Sequence, residues 1–355
     1  MLGLSIERRS RNGGRTPVRG WLVLSLGGLA ILTGVLGVSS AARAGPTLTI
    51  SSENTTSHVQ TRVLEIFAQR LEARLGGALT PEVHAGAELF RDRDVVDALA
   101  AGRVGMAAPG IWHLGRFEPN FEIPLLPMFH GRDPEIAHEV ADTVLSAALS
   151  QRLEEVVDVH VLGRWIDLGP AHLFLAGGGL VTRFEDLRGR SIRVAGGAAN
   201  GDRIAAFGAD PQLVPWVDLP AAMTAGTVSG TLTSAATVVS ARLWEAGLTQ
   251  AYLDYEYFPQ YVPMVSGPLW RRLPKPVQKA MTETWDGLVD EARASAARDQ
   301  TSALRVLEGV GMVITRPDVK ELARARTHLM AIQETIVSSM GLDPDLVRAA
   351  AERLP

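Results

Sequence analysis

From Thr47 onward the apolar positions alternate between two periods. Thr47–Ile50 is a short apolar run that reads as a strand, and a polar loop, SSENTTSH, follows it. In VQTRVLEIFAQRLEARLGG the apolar residues Val59, Val63, Ile66, Phe67, Leu71 and Leu75 recur at helical spacing, and Gly76-Gly77 stops the run. LTPEVH predicts a second strand, DRDVVDALAAGRV a second helix and VGMAAPG a third strand. A second run begins near Gly169: HLFLA as strand, RFEDLRG as a short helical turn, SIRVAG as strand, GDRIAAFGA as helix ended by Gly208, and QLVPW as strand. DLPAAMTAG is then a helix with Asp218 as N-cap and a proline just inside it, and VSGTLTS is a strand. Helix and strand in strict alternation predict open α/β sheets, one in each half of the chain.

The C-terminal third reads differently. Lys275 to Gly309 holds one helical pattern of 35 residues. At about 1.5 Å per residue it spans roughly 50 Å, too long for one small domain, so it is expected to cross two lobes. ELARARTHLMAIQETIVSSMG is helical again.

The first 44 residues stand apart. Arg8, Arg9, Arg11, Arg15 and Arg19 precede the apolar stretch WLVLSLGGLAILTGVLGV, which ends in Ala42-Arg43-Ala44. A basic region, an apolar core and an A-x-A site predict a secretory signal peptide over residues 1–44, cleaved after Ala44. An uncleaved anchor helix is the alternative, and Arg8-Arg9 leaves the twin-arginine route open beside the general one. Cleavage removes six Arg and one Glu, which takes the net charge from −4 to −9. The mature chain is thus acidic, without the footprint of a nucleic-acid binder, and no stable membrane insertion is expected of it. The absence of cysteine excludes disulfides, thiol nucleophiles, thiolate metal sites and a lipid anchor on cysteine.

Within Ser191-Ile192-Arg193-Val194, side chains alternate between faces. Ile192 and Val194 share one and Arg193 points the other way, near the carboxyl end of a strand where ligands of open α/β sheets bind. Gly196-Gly197 follows, where backbone can approach a ligand closely. A guanidinium there needs a carboxylate, either from a ligand or from an internal Asp or Glu.

RFEDLRGRSIRV, followed by FGADPQLVPWVDLPAAMTAGTVSG, resembles the solute-binding proteins of TRAP (tripartite ATP-independent periplasmic) transporters. The resemblance rests on Asp186, Leu187, Gly189, Ile192, Arg193 and Val194, then Gly208, Ala209, Pro211, Pro215, Ala222, Met223 and Gly226. HAGAELFRDRDVVDALAAGRVGMA upstream, Leu126-Pro127, and YFPQYVPMVSGPLWRRLPKPVQKAM downstream extend it over nearly the whole mature chain. It implies a two-lobe periplasmic-binding-protein fold with a ligand cleft between the lobes. Residues 45–168 plus 259–298 would form the first lobe and 169–258 plus 299–355 the second. It also implies that Arg193 forms a bidentate salt bridge to a substrate carboxylate, for which a planar fork is matched. Trp216 stands where the family packs an aromatic against the substrate, the other reading being a core tryptophan. Thr233 falls where many members carry a cleft asparagine, with Ser234 beside it. Family members that bind sialic acid-like acids have a further arginine where this chain has Ala171 and His172, which argues against such a substrate and weakens a dicarboxylate. His172, Trp112, His113, Glu53 and Asn54 are further candidates, placed after strands where loop residues face a cleft.

Enzyme motifs are missing. His138-Glu139 begins like a zinc helix, but position 142 is Asp, so H-E-x-x-H fails, and no G-x-S-x-G, G-x-G-x-x-G or P-loop occurs. The expected function is an exported, non-enzymatic binding protein, with no cofactor or metal. It captures a small organic acid and passes it to a TRAP-type membrane permease. The alternatives are a ligand-sensing module for a receptor and a secreted α/β enzyme acting on an organic acid.

Overall fold

The computed structural model describes residues 45–355, so the export segment expected over 1–44 lies outside the described residues. Two sheets organise the chain. The first has the strand order Thr80–His84, Thr47–Ser51, Met106–Ala107, Met264–Ser266, Val159–Val161. Four of its strands run in one direction and Met264–Ser266 alone runs against them, because it comes back from the other half of the chain. The second has the order Val313–Thr315, Gln250–Tyr257, Ala171–Leu175, Gly230–Ser234, Ser191–Val194, Asp210–Leu213. The protein is therefore a two-lobe α/β molecule, with one sheet per lobe.

A small antiparallel ribbon, Ile166–Asp167 with Gln260–Tyr261, lies where the chain passes between the lobes. The long helix makes the third passage and runs from Lys275 to Gly309, as its pattern predicts. Trp285 near its start packs edge-on to Phe67 in the first lobe, with ring centroids 5.7 Å apart. Ala303 and Leu307 near its end join the apolar cluster of the second lobe.

Other elements are shorter than their patterns suggest. Helix forms only over Val95–Ala100 in the second helical stretch, and strand only over Met106–Ala107 in the third. The helix after Gly197 starts three residues earlier than its pattern, at Ala198, and ends at Ala206; Gly208 then takes φ +78°, which a side chain would resist. QLVPW does not stay extended: the strand is Asp210–Leu213, and Trp216–Asp218 is a 3-10 turn.

The expected division puts 299–355 wholly with the second lobe. The last helix, Pro344–Ala351, instead packs on the π-helical turn Ala141–Leu145 of the first. Arg152 pairs with Asp343 at 2.5 Å, and Asn120 Oδ1 accepts from the Asp343 amide at 2.7 Å. The helix before it, Val319–Ser339, touches both lobes: Gln333 Oε1 accepts from Met128 N, and His328 Nε2 meets the carbonyl of Ala206.

Candidate ligand-binding site

Ser191–Val194 is a central strand of the second sheet, paired in parallel with Asp210–Leu213 and Gly230–Ser234. Ile192 is fully buried among apolar neighbours, and Arg193 on the other face is 2% exposed. Its Nε donates to the Val214 carbonyl at 2.9 Å, which orients the guanidinium, and the group lies 5.7 Å from the centre of the Trp216 ring. Its Nη2 is buried without a partner, and among the described residues no carboxylate comes within ion-pair distance. Burial pulls Arg193 down to about 10, with Asp92 and Tyr257 partly restoring it, so it stays charged at neutral pH.

Arg193 opens into a cavity between the lobes. Glu53, Asn54, Trp112 and His113 line it from the first lobe, Trp216 and Thr233 from the second. Seven of the nine candidate residues therefore meet at one place. Trp112 and His113 both reach it although they are consecutive, because Ile111–His113 is a 3-10 turn and not a strand. Trp112 Nε1 is buried and unpartnered, a second free donor among the lining residues. Trp216 is half-buried: it lines the cavity beside Arg193 and also packs against the apolar cluster of the second lobe.

Two candidates are elsewhere. Ser234 is fully buried and caps the helix Ala235–Ser240: its Oγ accepts from the Thr237 amide at 3.2 Å. His172 lines a separate surface pocket with Tyr255 and Gln300, and its Nδ1 accepts from the Tyr255 amide at 3.1 Å. Burial pushes it to about 3, so it is a neutral ring bound into the backbone of the neighbouring strand.

The cavity also uses residues that periodicity does not mark. Tyr257 and Tyr261 come from the return passage between the lobes, and Asp92 precedes the shortened helix Val95–Ala100. Trp112 stands edge-on to both tyrosines, 6.3 Å from Tyr257 and 5.4 Å from Tyr261. Gln60, behind the cavity, organises Glu53 and Asn54: its Nε2 donates to both Glu53 oxygens at 3.1 and 3.0 Å, and its Oε1 accepts from Asn54 Nδ2 at 2.7 Å. Burial raises Glu53 to about 7 against those hydrogen bonds, with Asp92 adding to the rise. It also pushes His113 down to about 4, against the pull of Asp92, whose Oδ2 is 3.6 Å from its Nε2.

The lobes are closed on one another by hydrogen bonds that cross the cleft. Asp92 Oδ2 accepts from Trp216 N at 3.2 Å, and Glu122 Oε2 accepts from Ala199 N at 3.0 Å. The second places a carboxylate of one lobe on the N-terminus of a helix of the other, where orphan amides and the helix dipole favour it. Arg203 Nη1 reaches the Leu125 carbonyl at 2.7 Å. His58, held neutral by burial, accepts from Gln60 N at Nδ1, so its Nε2 carries the proton and donates to Thr237 Oγ1 at 3.0 Å. Replacing Asp92 by alanine removes the contact that ties the Trp216 wall to the first lobe. That loss is expected to cost about 1.5–3 kcal/mol of the closed form, the usual value of a hydrogen bond to a charged group. Titration calorimetry would read it as a roughly 10–100-fold rise in ligand Kd.

Known proteins share this architecture. The family model for bacterial extracellular solute-binding proteins of family 7 (DctP) matches residues 50–339. The C4-dicarboxylate-binding periplasmic protein DctP of Rhodobacter capsulatus is 24% identical over 249 residues, 69% of this chain and 72% of that one. A TRAP periplasmic solute-binding protein of Sulfurospirillum deleyianum, solved with bound succinate, superposes with a TM-score of 0.80 at 19% identity. That likeness covers 88% of this chain and all of that one. An extracytoplasmic solute receptor of Bordetella pertussis that binds pyroglutamic acid gives 0.76 at 22% identity, over 86% of this chain and 99% of that one. The match to the family model spans most of the chain, so the protein belongs to the bacterial extracellular solute-binding proteins of family 7.

Proposed function

We propose that the protein captures a small organic acid in the interlobe cavity and delivers it to a TRAP-type membrane permease. The observation that carries this reading is Arg193: a buried cation facing the interlobe cavity, its Nη2 without a partner and, among the described residues, no carboxylate within ion-pair distance. A buried charge without a counter-charge is costly, and a ligand carboxylate removes that cost while using a geometry the guanidinium fork matches. The relatives bound to succinate and to pyroglutamic acid support an acid as the cargo. Trp216 and Trp112 supply apolar walls, and Thr233 a hydroxyl. The basic, apolar and A-x-A pattern of residues 1–44 supports export to the periplasm with cleavage after Ala44. The reading assigns binding and release, and no reaction, to the chain. The passages at 166–167 and 260–261, together with the long helix, would act as hinges for opening.

A thermal-shift screen of the exported protein tests the reading. The panel holds keto, hydroxy, aromatic, sugar and amino acids and dicarboxylates, each beside its neutral amide. A ligand that binds only the native state raises the melting temperature by mass action. At 100 times its Kd it adds about 2.7 kcal/mol, several degrees for a chain of this size. A rise with an acid and none with its amide is the expected result. Equal shifts with acid and amide would remove carboxylate capture from the reading.

A further inference from the structure

Glu53 and Arg193 line one cavity from opposite lobes, and neither has an ion partner among the described residues. Glu53 is 8% exposed and is held by neutral groups, the amides of Gln60 and Asn54 and the hydroxyl of Tyr261. Asp92, the other acid of the cavity, is already engaged by the amides of Arg93 and Trp216. The closed site thus holds one cation and one carboxyl group awaiting charge, with four aromatic rings around them: Trp112, Trp216, Tyr257 and Tyr261.

We propose that Glu53 is the second pole of the site and that the ligand is a zwitterion. Its carboxylate pairs with Arg193, and its cationic nitrogen pairs with Glu53 between the aromatic walls. The proposal rests on the carboxylate-capture reading given above and narrows it. Aromatic faces attract a cation electrostatically, most strongly when it is desolvated. Other acids fit less well. A dicarboxylate would set its second charge beside Glu53, where no second cation lines the cavity, and like charges in one site disfavour ionisation. A polyhydroxy acid needs several free hydrogen-bonding groups. Asn54 Nδ2 is committed to Gln60 Oε1 and to Tyr261 Oη, and Thr237 Oγ1 to His58 and Ser234.

Proton linkage gives the site a signature. Burial holds Glu53 near 7, so the free site is partly protonated at neutral pH. A cationic ligand requires the ionised form. Affinity then rises with pH through 7 and levels off near 8, by about tenfold between pH 6 and pH 8. The groups that face Glu53 do not mask this. Gln60 and Asn54 do not titrate, Tyr261 is pushed upward by burial, His113 sits near 4, and Arg193 near 10. Asp92 acts on Glu53 by raising it.

Calorimetry on the exported protein decides the matter. The probes are L-proline, glycine betaine and γ-aminobutyrate, their uncharged-body counterparts cyclopentanecarboxylate, 3,3-dimethylbutyrate and pentanoate, and succinate and galactonate. Expected is a zwitterion that binds at least tenfold more tightly than its counterpart. Its advantage should grow from pH 6 to pH 8, with proton release at pH 6.5 seen in buffers of different ionisation enthalpy. Glu53→Gln, which keeps the shape and a melting transition, should erase the advantage of the zwitterion over its counterpart. Binding led by succinate, galactonate or an uncharged-body acid overturns the proposal, as does a panel in which no zwitterion binds or a preference that survives Glu53→Gln. Arg193→Ala separates the two readings: if acids of every kind still bind to it, carboxylate capture has failed, whatever Glu53 does.

Discussion

Arg193→Ala is expected to lose acid binding by ~2–5 kcal/mol while the ligand-free protein stays folded, the usual cost of removing one partner of a buried charge pair. The fold does not rely on this guanidinium. In the ligand-free protein the guanidinium is 2% exposed, has one hydrogen bond to the Val214 carbonyl and leaves Nη2 unpartnered. Burial lowers its affinity for a proton, which means that the folded state disfavours the charge relative to the unfolded chain. The sign is that of a depressed cation: below about pH 10 the folded protein carries a charge it would hold more cheaply unfolded. Removing it should leave the ligand-free melting temperature at or above that of the wild type. With a saturating acid the order reverses, because only the wild type gains from the ligand. Arg193→Lys should not restore binding, since a point charge cannot replace a planar fork whose Nε is anchored at 2.9 Å. Thermal melts of the three proteins with and without acid read all of this. A large drop in the ligand-free melting temperature of Arg193→Ala would instead mean that the arginine is structural.

Arg193 was legible for a simple reason. Two β-branched residues two apart define a buried strand face, and the charge between them must point toward something that compensates it. The long helix was legible because its 3.6-residue pattern runs unbroken for 35 residues. Between residues 111 and 129 the pattern fails: the chain turns through the 3-10 segments Ile111–His113, Pro119–Leu125 and Pro127–Phe129, whose spacing matches neither period. Tyr257, Tyr261 and Asp92 escaped because their place in the cavity depends on how the two lobes meet, not on local spacing. Asp92 reaches across to the amide of Trp216, 124 residues away. Ser234 and His172 lie outside the cavity lining, since proximity in sequence to a cleft strand says nothing of what a polar atom is already bonded to. One caps a helix and the other accepts from a backbone amide.

Gly196→Val is expected to separate folding from closure. Gly196 belongs to the second lobe, and its φ is not in the left-handed region, so a side chain there strains no local backbone. What it meets is the first lobe. A Cβ would sit 2.5 Å from the Trp112 carbonyl oxygen and 3.3 Å from Trp112 Cδ1. The obstacle is backbone, held by the turn Ile111–His113 and by the amide-to-carbonyl bond from His113 to Gly110 at 3.0 Å. Overpacking that flexible side chains can absorb costs ~1–3 kcal/mol, and here the closed form should lose ~3 kcal/mol or more. The open form, with the lobes apart, should lose nothing. Affinity for the acid then falls by the penalty on closure, ~100-fold or more, because the binding-competent state is depopulated by that factor. The ligand-free melting temperature should move less than that penalty implies, and small-angle scattering should show no compaction when acid is added. A variant that still closes and binds as the wild type does would show that Trp112 yields. The close approach of Gly196 to its carbonyl would then be a packing coincidence, and the cavity would be shaped by side chains alone.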